Sequence, residues 1–195
     1  MSVDAKLVKE LRDKTNAGMM DCKAALAEAK GEMEAAEMIL RKKLGLTASK
    51  KAGREAKEGI IASYIHMGGK VGVLVEINCE TDFVAKNDNF KEFVKDITLQ
   101  IAAANPIYVR REEVSEDLLE KEREVAAAQV KGKPENVVEK IVAGKVDKYV
   151  AGICLMEQAY IKDQNLTVEQ VVKEKIGELG ENIIIRRFTR YSVGE

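Results

Sequence analysis

Residues 60–78, IIASYIHMGGKVGVLVEIN, decide the fold class of this chain. Apolar residues alternate with a period of two on both sides of Gly68-Gly69, which is typical of β-strands. A Gly-Gly pair between two such runs favours a hairpin, because both residues can adopt positive φ. One face of the second run carries Val71, Val73, Val75 and Ile77. The stretch therefore predicts a β-hairpin near the middle of the sequence.

Helical periodicity precedes this hairpin. Apolar residues spaced three and four apart predict helices over about 3–13, 19–30 and 32–44. Gly31 and Gly45 follow the second and third helices, and glycine is common just after a helix. We expect a three-helix module over residues 1–46. The charged residues 47–58 then form a linker, because a run of charges is usually a solvated segment.

Helices and one more strand follow the hairpin. Periodicity predicts helices over about 88–104, 115–131, 134–150 and 167–179, and a strand over about 182–191. Ser115 is a helix cap, Thr167-x-x-Gln170 is a capping box and Gly180 closes the last helix, whereas residues 153–161 are ambiguous. We therefore predict an α+β protein. Its core, residues 59–195, would contain an antiparallel sheet of about three strands packed with helices.

Composition excludes several classes of function. The net charge of −1 gives no global attraction to nucleic acid or anionic membranes, and no apolar run approaches a membrane span. The N-terminus lacks a signal-peptide pattern, so we expect a cytoplasmic protein. Three scattered cysteines and one histidine, His66, argue against a disulfide framework or zinc site. With no phosphate-binding glycine motif, we expect no cofactor, no metal and no enzymatic activity.

Two segments stand above this background. They are residues 11–26, LRDKTNAGMMDCKAAL, and residues 76–87, EINCETDFVAKN. Both closely resemble the signature segments of the bacterial elongation factor Ts family, and the resemblance continues through Lys50-Lys51-Ala52-Gly53 and Gly132-Lys133-Pro134 into the C-terminal strand. It implies a module similar to ubiquitin-associated domains followed by an α+β core. A single core module is similar to the short form of the family.

The resemblance also implies a function. The family promotes GDP release from the GTPase elongation factor Tu, and its contact loop corresponds here to Thr81, Asp82, Phe83 and Val84. Phe83 would enter an apolar slot of the partner near its Mg²⁺ site, and Asp82 would contact the partner there, so that the metal is displaced. From pattern alone, Asp82 is instead a carboxylate at a helix N-terminus and Phe83 a core residue.

The N-terminal module carries further candidates by the same resemblance. Met19 and Met20 are either bundle core or an adaptable apolar contact with the partner, and Arg12 is either a contact or a solvated charge. His66 is an exposed residue at the turn or a weaker partner contact. We expect no direct contact with nucleic acid, in line with the net charge of −1. An alternative function is RNA or ribosome association through the basic stretch 50–57, and an enzyme using Cys79 or Cys22 is a distant third.

We also expect a homodimer. Long relatives place two core modules side by side, so a single module would leave a sheet edge or an apolar face uncovered. Such edges are usually paired or blocked in proteins.

Overall fold

The computed structural model describes residues 3–15, 17–130 and 134–195. The helices are α1 (Ala5–Thr15), α2 (Met19–Glu28), α3 (Met33–Lys51), α4 (Asp82–Lys86), α5 (Asp88–Ala104), α6 (Glu116–Ala128), α7 (Glu135–Ile153) and α8 (Val168–Leu179). The strands are β1 (Glu58–Ile65), β2 (Val71–Cys79), β3 (Ala159–Tyr160), β4 (Asp163–Thr167) and β5 (Ile184–Ser192). The α+β class predicted from the sequence is confirmed.

The main sheet has three strands in the order β1-β2-β5. The predicted hairpin joins β1 to β2, and it is closed by hydrogen bonds from His66 N to Val71 O (2.8 Å) and from Gly69 N to His66 O (2.9 Å). Gly68 and Gly69 have φ of +88° and +69°, which explains why glycine occupies both positions. The predicted face of β2 is buried at Val73, Val75 and Ile77. The last strand joins the hairpin, as predicted.

The chain divides into two compact units. The first comprises the described residues of Met1–Ile60, Ile77–Phe93 and Gln170–Ile184, and the second comprises Ile61–Glu76, Val94–Glu169 and Ile185–Glu195. The division expected from the sequence, with a module over 1–46, a linker over 47–58 and a core over 59–195, stays a prediction.

The first unit contains the three N-terminal helices. Their shared core consists of Val8, Leu11, Ala17, Cys22, Ala25, Leu26, Ala36 and Leu40. The predicted end of the third helix at Gly45 is wrong, because α3 continues to Lys51. Ala48 is buried on this extension, and a Cβ at Gly177 of α8 would lie 2.5 Å from Leu44. Packing against α8 thus offsets the roughly 1 kcal/mol that glycine costs inside a helix.

A second close approach in the first unit fixes the start of the sheet. Gly59 in β1 has φ of +146°, and a Cβ there would lie 2.2 Å from the carbonyl oxygen of Ile77 in β2. A larger residue would therefore separate the two strands at the end of β2, the strand that leads into α4.

The second unit contains α6 and α7. The Oγ of Ser115 accepts a hydrogen bond from Leu118 N (3.4 Å), which confirms the predicted cap of α6. Pro134 occupies the cap position before α7 instead of its first turn. The helix end predicted at Lys131 and the break at Gly132-Lys133 lie outside the described residues.

The ambiguous segment 153–161 becomes a 3₁₀ turn, Leu155–Glu157, followed by β3. β3 pairs antiparallel with β4, a strand that the sequence did not predict. Two glutamine side chains are buried beside this segment and hydrogen-bond there. Gln158 donates from Nε2 to Gly152 O (2.7 Å), and Gln100 donates from Nε2 to Gln158 Oε1 (3.2 Å). Hydropathy patterns do not detect such a network.

Residues 3–15, 17–130 and 134–195 contain no helix that could span a membrane. There, every helix is either too short or too polar to cross the hydrocarbon layer.

Candidate partner-binding site

Residues 81–84 are the cap and the first three residues of the short helix α4, which begins shortly after the end of β2. Thr81 is the cap of α4, with extended backbone, and its Oγ1 accepts a hydrogen bond from Val84 N (3.3 Å). Its carbonyl accepts from Ala85 N (3.2 Å). A threonine cap satisfies an N–H group that the first turn of a helix leaves without a partner. The motif Thr-Asp-Phe-Val is therefore a helix start, and we refer to it as the 81–84 segment.

A carboxylate from a distant part of the sequence also holds this segment. Glu181 accepts hydrogen bonds from Glu80 N (3.1 Å), Thr81 N (3.0 Å) and Thr81 Oγ1 (2.6 Å). In return, Glu80 Oε1 accepts from Asn182 N (2.6 Å). All of these residues belong to the first compact unit. Side-chain hydrogen bonds thus hold the N-terminal end of the segment.

Residues 81–83 are exposed, and the two residues that follow are buried. Phe83 is 78% exposed, whereas Val84 and Ala85 are buried. The pattern-based interpretation of Phe83 as a core residue is wrong, because the α4 helix directs Val84 inward instead. Val84 anchors the segment, and Phe83 presents a large apolar surface to solvent.

Asp82 lies in the first turn of α4, as the pattern-based interpretation states. Its Oδ2 accepts a hydrogen bond from Lys86 Nζ (2.6 Å), one helical turn later. That hydrogen bond and the charge of Lys86 lower the pKa of the Asp82 carboxyl. Asp82 therefore carries a negative charge at neutral pH beside the exposed Phe83 ring.

The N-terminal candidates lie at the start of α2 and on α1. Met19 and Met20 are 59% and 74% exposed, so the bundle-core interpretation is wrong for both. Arg12 is also exposed. The neighbouring Cys22 and Leu26 fill the core, which leaves the two methionine side chains on the outside of the module.

The family of this chain follows from comparison with known proteins. The sequence model described as Elongation factor TS matches residues 3–195. The chain belongs to the elongation factor Ts family. An elongation factor Ts from Geobacter metallireducens is 59% identical over 197 residues, which cover 100% of this chain and 91% of the relative.

Two further relatives are similar to this chain over nearly their whole length. The elongation factor Ts of Carboxydothermus hydrogenoformans is 57% identical over 99% of this chain and 90% of the relative. That of a Thermoanaerobacter species is 57% identical over 99% of this chain and 96% of the relative. This family member is accordingly a translation elongation factor, which acts in protein biosynthesis.

The weaker candidate His66 lies at the hairpin of this elongation factor. It is exposed, as predicted, and its Nδ1 is 2.9 Å from Tyr64 Oη. The two rings are 5.9 Å apart between centroids. The Tyr64 contact accounts for the orientation of the imidazole and leaves the partner contact a prediction.

Several cations of the basic stretch 50–57 contact oxygen atoms of the protein. Lys51 Nζ donates to the carbonyl of Gly180, Arg54 Nη1 lies 3.6 Å from Glu80 Oε2, and Lys57 pairs with Glu55 at 2.9 Å. Three of its cations are thus engaged with protein oxygen atoms. The side chains of Arg54 and Lys57 nevertheless remain 54% and 75% exposed, so RNA binding through this stretch stays an alternative prediction.

The cysteines are unsuited to nucleophilic chemistry. Cys22, Cys79 and Cys154 are all free and buried. Burial raises the pKa of the Cys79 and Cys154 thiols to about 11, and it raises that of Cys22 as well. A thiol with such a pKa is almost fully protonated at neutral pH and therefore inert. Across the described ranges, no group of three or more His, Cys, Asp or Glu side chains is arranged to hold a metal ion.

Sequence reasoning missed the residues that support the 81–84 segment. Glu181 and Asn182 precede β5, about a hundred positions after Thr81. Neither lies in a motif, and a Glu-Asn pair after a helix-ending glycine is compatible with an ordinary loop. No signal in a single sequence joins positions this far apart.

Proposed function

We propose that this elongation factor is a guanine-nucleotide exchange factor that promotes GDP release from elongation factor Tu through Thr81, Asp82, Phe83 and Val84. One observation carries the proposal: a 78% exposed phenylalanine stands on a segment that side-chain hydrogen bonds fix in place. Exposed aromatic side chains on rigid supports are typical of residues that dominate binding energy at interfaces. Membership of the family supplies the identity of the partner.

The mechanism requires only differential binding. A GTPase holds GDP through phosphate contacts and Mg²⁺. A factor that binds the nucleotide-free GTPase more tightly than the GDP-bound form weakens GDP binding by the same ratio, since coupling is reciprocal. Phe83 enters an apolar slot near the Mg²⁺ site and shifts the groups around the metal. The factor neither binds the nucleotide nor catalyses a covalent step.

Asp82 adds charge to this contact. Its lowered pKa keeps it ionised, and the side chains of Asp82 and its partner Lys86 are 66% and 76% exposed. The Asp82 carboxylate is therefore available for the donors of the GTPase next to the Phe83 slot. It does not have to ligate Mg²⁺ to displace the metal.

The N-terminal module provides a second contact through Met19, Met20 and Arg12. Methionine adapts well to apolar surfaces because its side chain is unbranched and polarisable. We infer that this contact docks on a helix of the GTPase and raises affinity. A role in translation elongation places the protein in the cytoplasm, without a need for direct nucleic-acid contact.

The decisive experiment measures release of fluorescent GDP from elongation factor Tu with and without this protein. We expect the wild-type chain to accelerate release and Phe83→Ala to abolish most of that acceleration. The alternative function is tested by measuring RNA binding of the wild type and of a Lys50→Ala/Lys51→Ala double variant. If wild-type protein fails to accelerate release but binds RNA with a steep salt dependence that the double variant removes, exchange is excluded and RNA association is favoured.

The same proposal includes a homodimer, which the second compact unit supports. The main sheet exposes Ile61 (65%), Ile65 (66%), Leu74 (52%) and Tyr191 (75%) on its strands. A Cβ on Gly72 would lie 3.0 Å from Ile65 Cδ1, so Ile65 covers the backbone of β2 on this face. Apolar sheet faces of this kind are usually covered in a stable protein. A second copy would bury the face and give each dimer two 81–84 segments.

Light scattering of purified protein tests the dimer. We expect twice the chain mass for the wild type and a monomer for Ile65→Lys, with Lys162→Ala as a control in the same unit. A monomeric wild type that retains full exchange activity would refute the dimer and leave the exchange function intact.

A further inference from the structure

The carboxylate of Glu181 supports the start of the 81–84 segment from a part of the chain that lies a hundred residues away in sequence. Oε2 accepts from the backbone N–H groups of Glu80 and Thr81, and Oε1 accepts from the Thr81 hydroxyl. Hydrogen bonds to an ionised acceptor are about twice as strong as neutral ones. Three of them converge on the two residues immediately before α4.

The hydrogen bonds of the next residue, Asn182, restrict the movement of Glu181. Asn182, which is 2% exposed, donates its backbone N–H to Glu80 Oε1 (2.6 Å). Its side-chain Nδ2 donates to the carbonyl of Arg54 (2.7 Å). Residues 181–182 are therefore tied both to the segment before α4 and to the backbone that follows α3. The Glu181 carboxylate is a fixed point and not a mobile surface group.

A helix as short as α4 needs such a fixed point. It has five residues, and isolated helices shorter than about 12–15 residues are marginal in water. The buried Val84 and Ala85 supply apolar anchoring. The hydroxyl of Thr81 connects Glu181 to the first turn of α4, because it donates to Glu181 and accepts from Val84 N. Thr81 thus links the Glu181 carboxylate to the helix turn that carries Phe83.

We propose that Glu181 is the positioning residue of the exchange reaction: it holds residues 81–84 in the conformation in which Phe83 meets the GTPase. The inference rests on the proposed exchange function. Glu181 acts through Glu80 and Thr81. Its loss leaves the apolar surface of Phe83 present but allows it to sample other directions, so that binding energy is lost to ordering when the complex forms.

The test compares Glu181→Ala and Glu181→Gln with wild type and with Glu174→Ala. Glu174 pairs with Arg41 (2.7 Å) in the same unit, so its variant controls for the loss of a carboxylate contact. Glutamine keeps a carbonyl that can accept from both N–H groups, and alanine keeps nothing. We measure GDP release over a range of factor concentrations, and hydrogen exchange of the amides of residues 80–85 in the free protein.

We expect Glu181→Ala to lower the maximal release rate about tenfold, since small displacements of a positioned group can cost up to about a hundredfold. The half-saturating concentration should change less, because the N-terminal contact remains. Glu181→Gln should recover part of the rate, and Glu174→Ala should match wild type. Amide protection should fall at residues 80–85 in Glu181→Ala and stay unchanged in β2.

Two results would overturn the inference while leaving the exchange function in place. One is a Glu181→Ala variant with the wild-type maximal rate. The other is a rate loss shared equally by Glu174→Ala, which would indicate general destabilisation of the unit. A wild-type chain that does not accelerate GDP release would refute both proposals, and the hydrogen-exchange data would then report whether Glu181 orders the segment.

Discussion

The two turns that flank β2 expose large apolar side chains but differ in how they are held. Met67 is 88% exposed at the turn between β1 and β2, and Phe83 is 78% exposed after the end of β2. Two backbone hydrogen bonds and two glycines with positive φ form the first turn. The second is fixed by the Thr81 cap and by Glu181. The two exposed side chains therefore differ in their support, and we propose that the side-chain-anchored Phe83 is the one that contacts the GTPase.

The largest expected effect separates the two exposed side chains directly. Phe83→Ala should reduce factor-stimulated GDP release roughly thirtyfold, as the loss of about 2 kcal/mol at an interface hot spot implies. Met67→Ala should leave release near the wild-type rate. Thermal unfolding of both variants should resemble wild type, because neither side chain is buried. Equal losses of release rate in the two variants would contradict the distinction between the turns.

The support of the second turn is tested by removing its cap. Thr81→Ala should cost about 1 kcal/mol of stability and lower GDP release about fivefold, because the first turn of α4 loses an acceptor and its link to Glu181. Ser115→Ala removes the same type of cap from α6. Denaturant unfolding should show a similar loss for both variants, but only Thr81→Ala should slow release. A slow Ser115→Ala variant would argue that stability alone controls the rate.

The N-terminal contact should have a smaller effect of a different kind. Met20→Ala should raise the factor concentration that gives half-maximal GDP release about threefold, with little change in the maximal rate, because a peripheral apolar contact contributes affinity. Met38 on α3 is 68% exposed and provides the matched control. Indistinguishable titration curves for Met20→Ala and Met38→Ala would remove the methionine pair from the interface.

The smallest expected effect reports on the local rigidity of the second turn. Cys79 Sγ donates to the carbonyl of Thr81 (3.2 Å), and burial, followed by the charge of Glu181, raises the pKa of this thiol from 9.0 to about 11. Alkylation at pH 8 should be very slow in wild type. Mass spectrometry should show labelling of Cys79, but not of Cys154, rise about twofold in Thr81→Ala. Equal changes at both cysteines would indicate opening of the whole protein.

The sign of the pH dependence follows from the same thiol. The native state favours protonated Cys79, so its contribution to stability is complete below pH 9 and is lost as the pH rises through about 11. Urea titrations at pH 8 and pH 10 should therefore show lower stability at the higher pH. Cys79→Ser should reduce this difference.

The sequence was sufficient for features that depend on neighbouring residues. The alternation around Gly68-Gly69 predicted the hairpin, and Ser115 predicted the start of α6, because turns and caps are local. The end of α3 was predicted wrongly at Gly45, since its continuation depends on Leu44 contacting Gly177. That contact joins residues far apart in the chain, and a single sequence does not contain it.

In the candidate site, too, the sequence indicated the residues of a local motif but not those that contact it from far away in the chain. The resemblance of residues 76–87 to a family motif indicated Asp82 and Phe83, although pattern alone favoured a buried Phe83. The motif did not indicate why the segment is rigid. Glu181 and Asn182 contact it through space, and their types are ordinary for a loop after a helix.

The hydrogen bonds that Glu181 accepts from residues 80 and 81 also have a consequence for the order in which parts of the protein form during synthesis. During synthesis, the N-terminal helices and the β1-β2 hairpin leave the ribosome long before Glu181 is added, and such early elements can fold as they emerge. The segment that carries Phe83 receives this support only after Glu181 has been synthesised, a hundred residues after Thr81. A product truncated before Glu181 would retain Met19 and Met20 yet lack the carboxylate that holds residues 80 and 81.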